Sequence, residues 1–242
     1  MSGVSERCER LVTWLQEQVA AAGSRGTVVG LSGGIDSAVV AGLCKRAFGD
    51  SVLGVIMPCH SSSQDAADAQ VVADAFRIQS RTVALDEVYD QFLATLRQGF
   101  QQEPTPLALA NLKPRLRMIT LYWHANSLGY LVVGTGNRSE ATVGYFTKYG
   151  DGGVDLQPIA NSVKSEVREL AEYLGVPQPI IDKAPSAGLW SGQTDETEMG
   201  FTYEVLDRYI LTGEAEPAVA ARVDEMNRRS EHKRQLPPAG PR

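Results

Sequence analysis

The sequence predicts an α/β protein: a single doubly wound parallel sheet of about five strands with helices on both faces. Three observations carry this. Apolar runs of strand length occur at 27–29, 51–57, 80–85 and 130–134. Helical periodicity fills the intervals, so each strand must return by a crossover and lie parallel to the last. The first run empties directly into Ser32-Gly33-Gly34 and then a helix, the kind of turn that builds ligand sites at the carboxyl edge of such sheets.

The chain opens with an amphipathic helix over 8–22, where Leu11, Trp14, Leu15, Val19 and Ala22 recur at helical spacing and Gly23 and Gly26 end it. Its expected role is packing, within the chain or between subunits. Pro58 stops the second strand, Ser61-Ser62-Ser63 offers N-cap chemistry, and an Ala- and Val-rich helix follows over 65–77. After the third strand, Asp86 and Glu87 give the next helix an acidic first turn, and Tyr89, Phe92, Leu93 and Leu96 mark its buried face. A polar, Pro-containing break at 101–106 reads as a hinge. A helix then runs from Asn111 through Leu128, with Pro114 tolerated in its first turn and Gly129 as its cap. The fourth strand ends in Gly134-Thr135-Gly136-Asn137-Arg138-Ser139-Glu140, which should face the same crevice as the Ser32 turn. Further helices are expected from Lys164, over 199–211 and over 216–229, and the tail 235–242, with three prolines, is expected to be flexible.

Composition narrows the class. The 242 residues suit one large domain, taken as 1–242. Hydrophobic content of 43% and charged content of 21% are ordinary for a globular chain. A net charge of −6 argues against a protein that coats nucleic acid. Cys8, Cys44 and Cys59 form no C-x-x-C, which disfavours a disulfide framework and a structural zinc site. No apolar run reaches 18 residues and the N-terminus lacks a signal pattern, so a cytoplasmic protein without membrane contact is expected.

The chemistry centres on S-G-G-I-D-S at 32–37. Strand, glycine turn and helix start together offer backbone N–H groups and a positive helix end to an anion. Gly33 and Gly34 let the backbone approach a phosphate, and Ser32 and Ser37 add hydroxyls. Asp36 would repel a phosphate unless a divalent cation sat between them. No Lys follows the glycines, so this is not the G-x-x-x-x-G-K-S/T loop. It resembles the pyrophosphate loop of the ATP-pyrophosphatase (PP-loop) superfamily, whose members cleave ATP between the α and β phosphates and adenylate a carbonyl oxygen. A rival reading takes Gly134-x-Gly136 with Asp155 as a dinucleotide fingerprint of a hydride-transfer enzyme; the third glycine is absent.

Five further stretches join the loop: N-L-K-P-R-L-R-M at 111–118, G-T-G-N-R-S-E at 134–140, Y-F-T-K-Y-G-D-G-G-V-D at 145–155, P-S-A-G-L-W-S-G-Q-T-D-E at 185–196 and E-H-K-R-Q at 231–235. In this order and spacing they resemble the ammonia-dependent NAD+ synthetases, from about residue 28 to 235. The resemblance implies a Rossmann-like fold of the adenine nucleotide alpha hydrolase type. It implies a ligase in which ATP adenylates the nicotinate carboxylate of deamido-NAD and ammonia displaces AMP. It implies magnesium held by Asp36 and Glu140, two carboxylates suited to an oxygen-preferring cation. ATP contacts are implied at Gly30, Leu31, Ser32, Gly33, Gly34, Ile35, Asp36, Ser37, Met57, Thr135, Lys164 and Ser186, with Asp36, Lys164 and Ser186 in catalytic roles. Deamido-NAD contacts are implied at Asn111, Arg115, Lys148, Asp155, His232 and Lys233.

Each of these residues has a plainer reading. Glu140 could serve only the dipole of its helix. Lys164 could be a solvated surface lysine, Arg115 a surface charge alternating with Lys113 and Arg117, and Asp155 a turn residue. The segment 184–197 lacks periodicity and reads as a lid that excludes water from the acyl-adenylate, with Trp190 over the site or in a subunit contact. Many relatives carry Asp where Gly188 stands and Thr where Ser186 stands; Ser keeps the hydroxyl. Only one helix precedes the first strand, so free ammonia is the expected nitrogen donor; a separate glutaminase subunit is not indicated. The family resemblance also implies a homodimer. The competing functions are another PP-loop enzyme acting on a different carbonyl, such as a tRNA base, and a nucleotide sensor without turnover. The acidic balance and isolated cysteines disfavour the first, and the intact Asp36, Glu140 and Lys164 the second.

Overall fold

The computed structural model describes residues 3–186 and 194–241. Twelve helices and four strands are assigned among them. In chain order they begin α1 (Gly3–Ala21), β1 (Thr27–Leu31), α2 (Ile35–Phe48), β2 (Val52–Ile56), α3 (Ser63–Ala75) and β3 (Gln79–Thr82). Next come α4 (Asp86–Arg97), α5 (Pro106–Ala110), α6 (Leu112–Leu128), β4 (Leu131–Val133) and α7 (Arg138–Val143). The chain continues through α8 (Lys164–Leu174), α9 (Gln178–Ile181), α10 (Asp195–Met199), α11 (Tyr203–Thr212) and α12 (Pro217–Ser230), then a single 3-10 turn, Glu231–Lys233.

The strands are all parallel, in the order β3-β2-β1-β4. Leu156 adds an isolated parallel bridge to Val133, a fifth position beside β4. The chain moves outward from β1 to β3 and then returns to the other side of β1. That reversal opens a crevice at the carboxyl ends of β1 and β4. Both sequence motifs predicted to meet, 32–37 and 134–140, leave those two strand ends.

Helices cover both faces, as the apolar strands β1, β2 and β4 require, while the edge strand β3, Gln79-Ser80-Arg81-Thr82, is polar and largely exposed. One core layer joins Leu31, Val39, Val40, Leu43, Val133, Val167 and Leu170; the opposite layer joins Val28, Leu53, Val55, Tyr89, Ala125 and Val132. A smaller cluster of Val143, Met199, Phe201, Tyr203, Leu206 and Val223 knits α7, α10, α11 and α12 together at the crevice end.

Several boundaries differ from the sequence reading. The helix expected over 199–211 starts instead at Tyr203, capped by Thr202, because Gly200, at φ 83°, ends the separate short helix α10 just before it. The break at 101–106 passes directly into α5, capped by Thr105. On α4 only Tyr89 is buried, while Phe92 and Leu96 are 43% and 47% exposed. Periodicity marks an apolar stripe, but not whether this chain covers it. The opposite holds for α1, whose Cys8, Val12, Leu15 and Val19 are buried against α2 and α8 of the same chain.

Leu15 is fully buried in that layer. Leu15→Ala should therefore lower unfolding stability by about 2–5 kcal/mol, the usual range for a core leucine. Urea denaturation checks this; a loss under about 0.5 kcal/mol, typical of an uncovered surface site, would place α1 outside the core.

Candidate active site

The loop after β1 is held by its own hydroxyls. Ser37 Oγ donates to the Gly34 carbonyl at 2.9 Å and lies 3.1 Å from Ser32 Oγ, while Gly34 N–H donates to Ser32 Oγ at 3.2 Å. Gly33 has φ 77°, and a Cβ there would stand 2.6 Å from the Asp65 carbonyl oxygen and 2.7 Å from Asp68 Cβ. No other residue fits, because both the backbone angle and the space exclude it. Gly34 occupies the N-cap of α2 without any side-chain cap. The first N–H groups of α2 therefore remain available to an anion.

Three helices begin around this loop, and each brings one charge. Asp36 lies in the first turn of α2, Glu140 in that of α7, and Lys164 opens α8. The Lys164 ammonium stands 2.5 Å from Asp36 Oδ2 and 3.6 Å from Glu140 Oε1, and its side chain is only 2% exposed. Asn137, fully buried, ties the two acids together. Its Nδ2 donates to Asp36 Oδ1 at 2.8 Å, and its Oδ1 accepts from the Glu140 N–H in a reciprocal capping box. Tyr203, from α11, donates to Asp195 Oδ2 at 2.9 Å, lies 3.4 Å from Glu140 Oε1 and places its ring 4.9 Å from the ammonium. The surface-lysine reading of Lys164 is thus replaced by a buried, two-carboxylate ion pair.

The electrostatics follow from the inventory. Asp36, Glu140 and Asp195 outnumber the single ammonium. Burial, then the Asp36 charge, lifts the Glu140 carboxyl to about 8 despite Lys164 beside it. Burial alone would lower the Lys164 ammonium, but Asp36 and Glu140 outweigh it and hold it above its ordinary value. Burial and the neighbouring acids raise the Tyr203 phenol far enough to keep it a donor. Two carboxyl groups beside an uncapped helix start suit a divalent cation that takes one or two carboxylates and completes its shell with water and phosphate, and such a cation would favour the ionised form of Glu140. Among the described residues no group of three or more His, Cys, Asp or Glu could form an all-protein cage.

A second patch forms around 144–151. Lys148 Nζ donates to the His232 carbonyl at 2.5 Å, and Lys233 Nζ donates to the Gly144 and Phe146 carbonyls at 2.8 Å. Arg115 donates to the Lys148 carbonyl at 3.3 Å, and Thr147 Oγ1 donates to Asn111 Oδ1 at 2.7 Å. Five of the six residues expected to hold the acceptor are therefore joined in one network: Asn111, Arg115, Lys148, His232 and Lys233. Asp155 lies outside this network; it is exposed, and it accepts from Tyr122 OH at 3.0 Å and from the Val132 N–H at 2.8 Å, which secures β4. Glu140, in the first turn of α7, and the Gly144 carbonyl just past its end are four residues apart, about 6 Å along the helix axis.

The remaining expected contacts lie around the crevice. The Met57 side chain is buried at the end of β2, where its Cε would be 3.3 Å from a Cβ at Gly30. Thr135 lies between β4 and α7, half-buried. Ser186 is exposed at the edge of the described residues. The rest of the expected lid, including Gly188 and Trp190, falls on residues 187–193, outside the described residues.

Asn137, Tyr203 and Asp195 were not singled out from the sequence as site residues, nor was Arg117, whose Nε donates to the Met57 carbonyl at 3.0 Å and whose Nη2 donates to Ser61 Oγ at 3.1 Å. Asn137 and Asp195 lie in the stretches 134–140 and 185–196 that carry the family resemblance, and Asn137 also stands at a helix N-cap after a strand; Tyr203 has no such signal.

Residues 7–237 match the family model described as NAD synthase. The NH(3)-dependent NAD(+) synthetase of Carboxydothermus hydrogenoformans is 55% identical over 232 residues, 96% of this chain and 96% of that protein. The structure of NMN synthetase from Francisella tularensis superimposes with a TM-score of 0.94 at 40% identity, covering 99% of each chain. That of the NH3-dependent NAD synthetase from Campylobacter jejuni, in complex with nitrate, does so with a TM-score of 0.82 at 30% identity, covering 100% of each chain.

A carboxyl raised by burial contributes stability that is complete below its unfolded value near 4.5 and is lost as pH rises through about 8. Without divalent cation, Glu140→Gln should therefore narrow the drop in melting temperature between pH 6 and pH 9 by about 2 °C or more, the shift expected for 1 kcal/mol in a chain of this size. Scanning calorimetry at both pH values checks it; an unchanged difference contradicts it.

Proposed function

This chain belongs to the NAD synthase family, and from that premise we propose that it makes NAD+ from deamido-NAD, ammonia and ATP. The observation that carries this reading is the Asp36–Lys164–Glu140 cluster beside an uncapped helix start, one short helix away from a cationic patch. A carboxylate is a poor acyl donor, so its oxygen must first become part of a good leaving group. In the proposed sequence the nicotinate oxygen attacks the ATP α-phosphorus, the α–β bridging bond breaks, and pyrophosphate leaves. Ammonia then attacks the carbonyl carbon of the NAD-adenylate, AMP departs and one proton is released.

The chain's residues divide this work. Backbone N–H groups at 32–37 and the start of α2 receive the pyrophosphate. Lys164 supplies positive charge where negative charge builds on the phosphates. Met57 and Gly30 bound the nucleotide side of the crevice, with Thr135 and Ser186 as further ATP contacts. Arg115, Lys148 and Lys233 offer cations to the acceptor's phosphates, and Asn111 and His232 complete that patch. Magnesium is the proposed cofactor, held by Asp36 and Glu140, and when bound it neutralises phosphate charge. A reducing, cytoplasmic setting accords with the three free, buried cysteines. No described helix is long and apolar enough to cross a membrane.

A homodimer is part of the proposal. α4 and α6 pack on one face of the sheet and expose Val88, Phe92, Leu96, Ile119 and Trp123. Large exposed apolar side chains on these two helices favour association. A groove of about 580 Å³ lies beside it, lined by Val83, Ile119 and Trp123 among others.

A second substrate reading rests on the 0.94 superposition on an NMN synthetase. The acceptor would then be nicotinic acid mononucleotide, which presents the same carboxylate, ribose and first phosphate.

With purified protein, ATP, magnesium and ammonium, deamido-NAD should yield NAD+ and AMP in equal amounts, and Asp36→Ala should lower the rate at least about 100-fold, the scale of losing one charge-stabilising group. Chromatography of both products checks it. Faster amide formation from nicotinic acid mononucleotide would select the second reading, and AMP without either amide would point to another acceptor. For the assembly, Trp123→Glu should convert a dimer to a monomer in light scattering; a dimer that persists would move the interface elsewhere.

A further inference from the structure

Helix α8 starts at Lys164 with Val163 at its N-cap, and an aliphatic side chain has no oxygen to offer the first turn. Asp207 supplies it from α11. Its Oδ2 accepts from the Ser165 N–H at 2.7 Å and its Oδ1 from the Lys164 N–H at 3.3 Å. The same Oδ1 accepts from the Ser139 hydroxyl at 2.5 Å, and Ser139 Oγ accepts from the Lys164 N–H at 3.1 Å. Asp207 is only 4% exposed. A carboxylate at that depth is costly unless its oxygens are satisfied, and here the α8 N-terminus and Ser139 satisfy them.

The placement is specific to the site. Ser139 directly precedes Glu140, so one carboxylate ties the start of α7 to the start of α8. Tyr203 lies four residues before Asp207, on the same face of α11. Its ring meets the ammonium end of Lys164, while Asp207 meets the backbone end. One helix thus grips both ends of the lysine.

We propose that Asp207 is a positioning residue for the reaction: through Ser139 and the first turn of α8 it sets where the Lys164 ammonium stands between Asp36 and Glu140. The kinetic side of this inference rests on the activity proposed above; the structural side does not. A lysine stem is long and flexible, and a misplacement of about 1 Å in a reacting assembly can cost about 100-fold in rate.

The test compares Asp207→Asn, Ser139→Ala and a packing control, Leu206→Ala, whose parent side chain is fully buried beside Asp207 on α11. Four quantities are read for each: kcat, KM for ATP, the urea midpoint, and the rate at which an acetylating reagent modifies Lys164, followed by peptide mass spectrometry. Asp207→Asn should lower kcat at least about tenfold, with KM for ATP within about threefold, and speed Lys164 acetylation at least about fivefold. Leu206→Ala should lose at least as much stability yet keep kcat and acetylation within about threefold of the parent. Parent-like kcat and acetylation in folded Asp207→Asn would overturn the proposal. So would the same two changes in Leu206→Ala at equal stability. If Asp207→Asn does not fold, Ser139→Ala decides: faster acetylation supports positioning, and an unchanged rate overturns it. If the parent chain forms no amide from either nucleotide acid, the activity reading fails, and the acetylation rates still decide the role of Asp207.

Discussion

A lysine ammonium buried where three helices begin is the constraint around which the crevice is built. Helix starts are positive, and burial strips water from the ammonium, so both effects oppose it. Asp36 and Glu140 offset them because each projects from the first turn of one of those helices. Asn137 then keeps the two acids in register, and Tyr203 covers the ammonium with its ring. Removing Lys164 or Asp36 leaves a buried charge without its balance, and removing Asn137 or Tyr203 leaves the charges without the contacts that place them. The cluster is thus held by mutual need rather than by the strength of a single ion pair.

The sequence disclosed the parallel sheet, the strand-turn-helix at 32–37 and the crevice it shares with 134–140, because these depend on local pattern and on the rule for where sheets bind ligands. It did not disclose the partners of Lys164. Asp36 lies 128 positions away along the chain, and no periodicity encodes a contact of that range. The same limit explains Phe92 and Leu96, which follow a buried pattern yet lie exposed, and Asp155, whose turn-like setting conceals its hold on β4. Gly200 was visible as a residue, but its left-handed conformation, which divides α10 from α11, was not.

Family membership and geometry contribute different parts of the argument. The match to NAD synthases identifies the chemistry class. The coordinates add which groups are already engaged: the backbone donors of α2 are uncapped, whereas the ammonium, both acids and Asp155 hold intrachain partners. A ligand entering the crevice therefore exchanges existing bonds for new ones at the acids, the lysine and the serine-bonded glycine turn, and gains bonds outright only at the first N–H groups of α2.

The six-residue helix α7 carries Glu140 in its first turn and ends at Gly144, whose carbonyl anchors Lys233. A hydrogen-bonded helix is stiff along its axis, so α7 works as a ruler. The spacing between Glu140 and the carbonyl that anchors Lys233 is written into its backbone, not into any side chain. Changes of residue along α7 alter what is offered at each mark, whereas adding or deleting a residue alters the scale itself. Gly144 fixes the end of that ruler, since a Cβ there would stand 2.0 Å from Ser230 Cβ of α12. The separation of the two ends is thus set by main-chain geometry and locked by the packing of a helix more than eighty residues downstream.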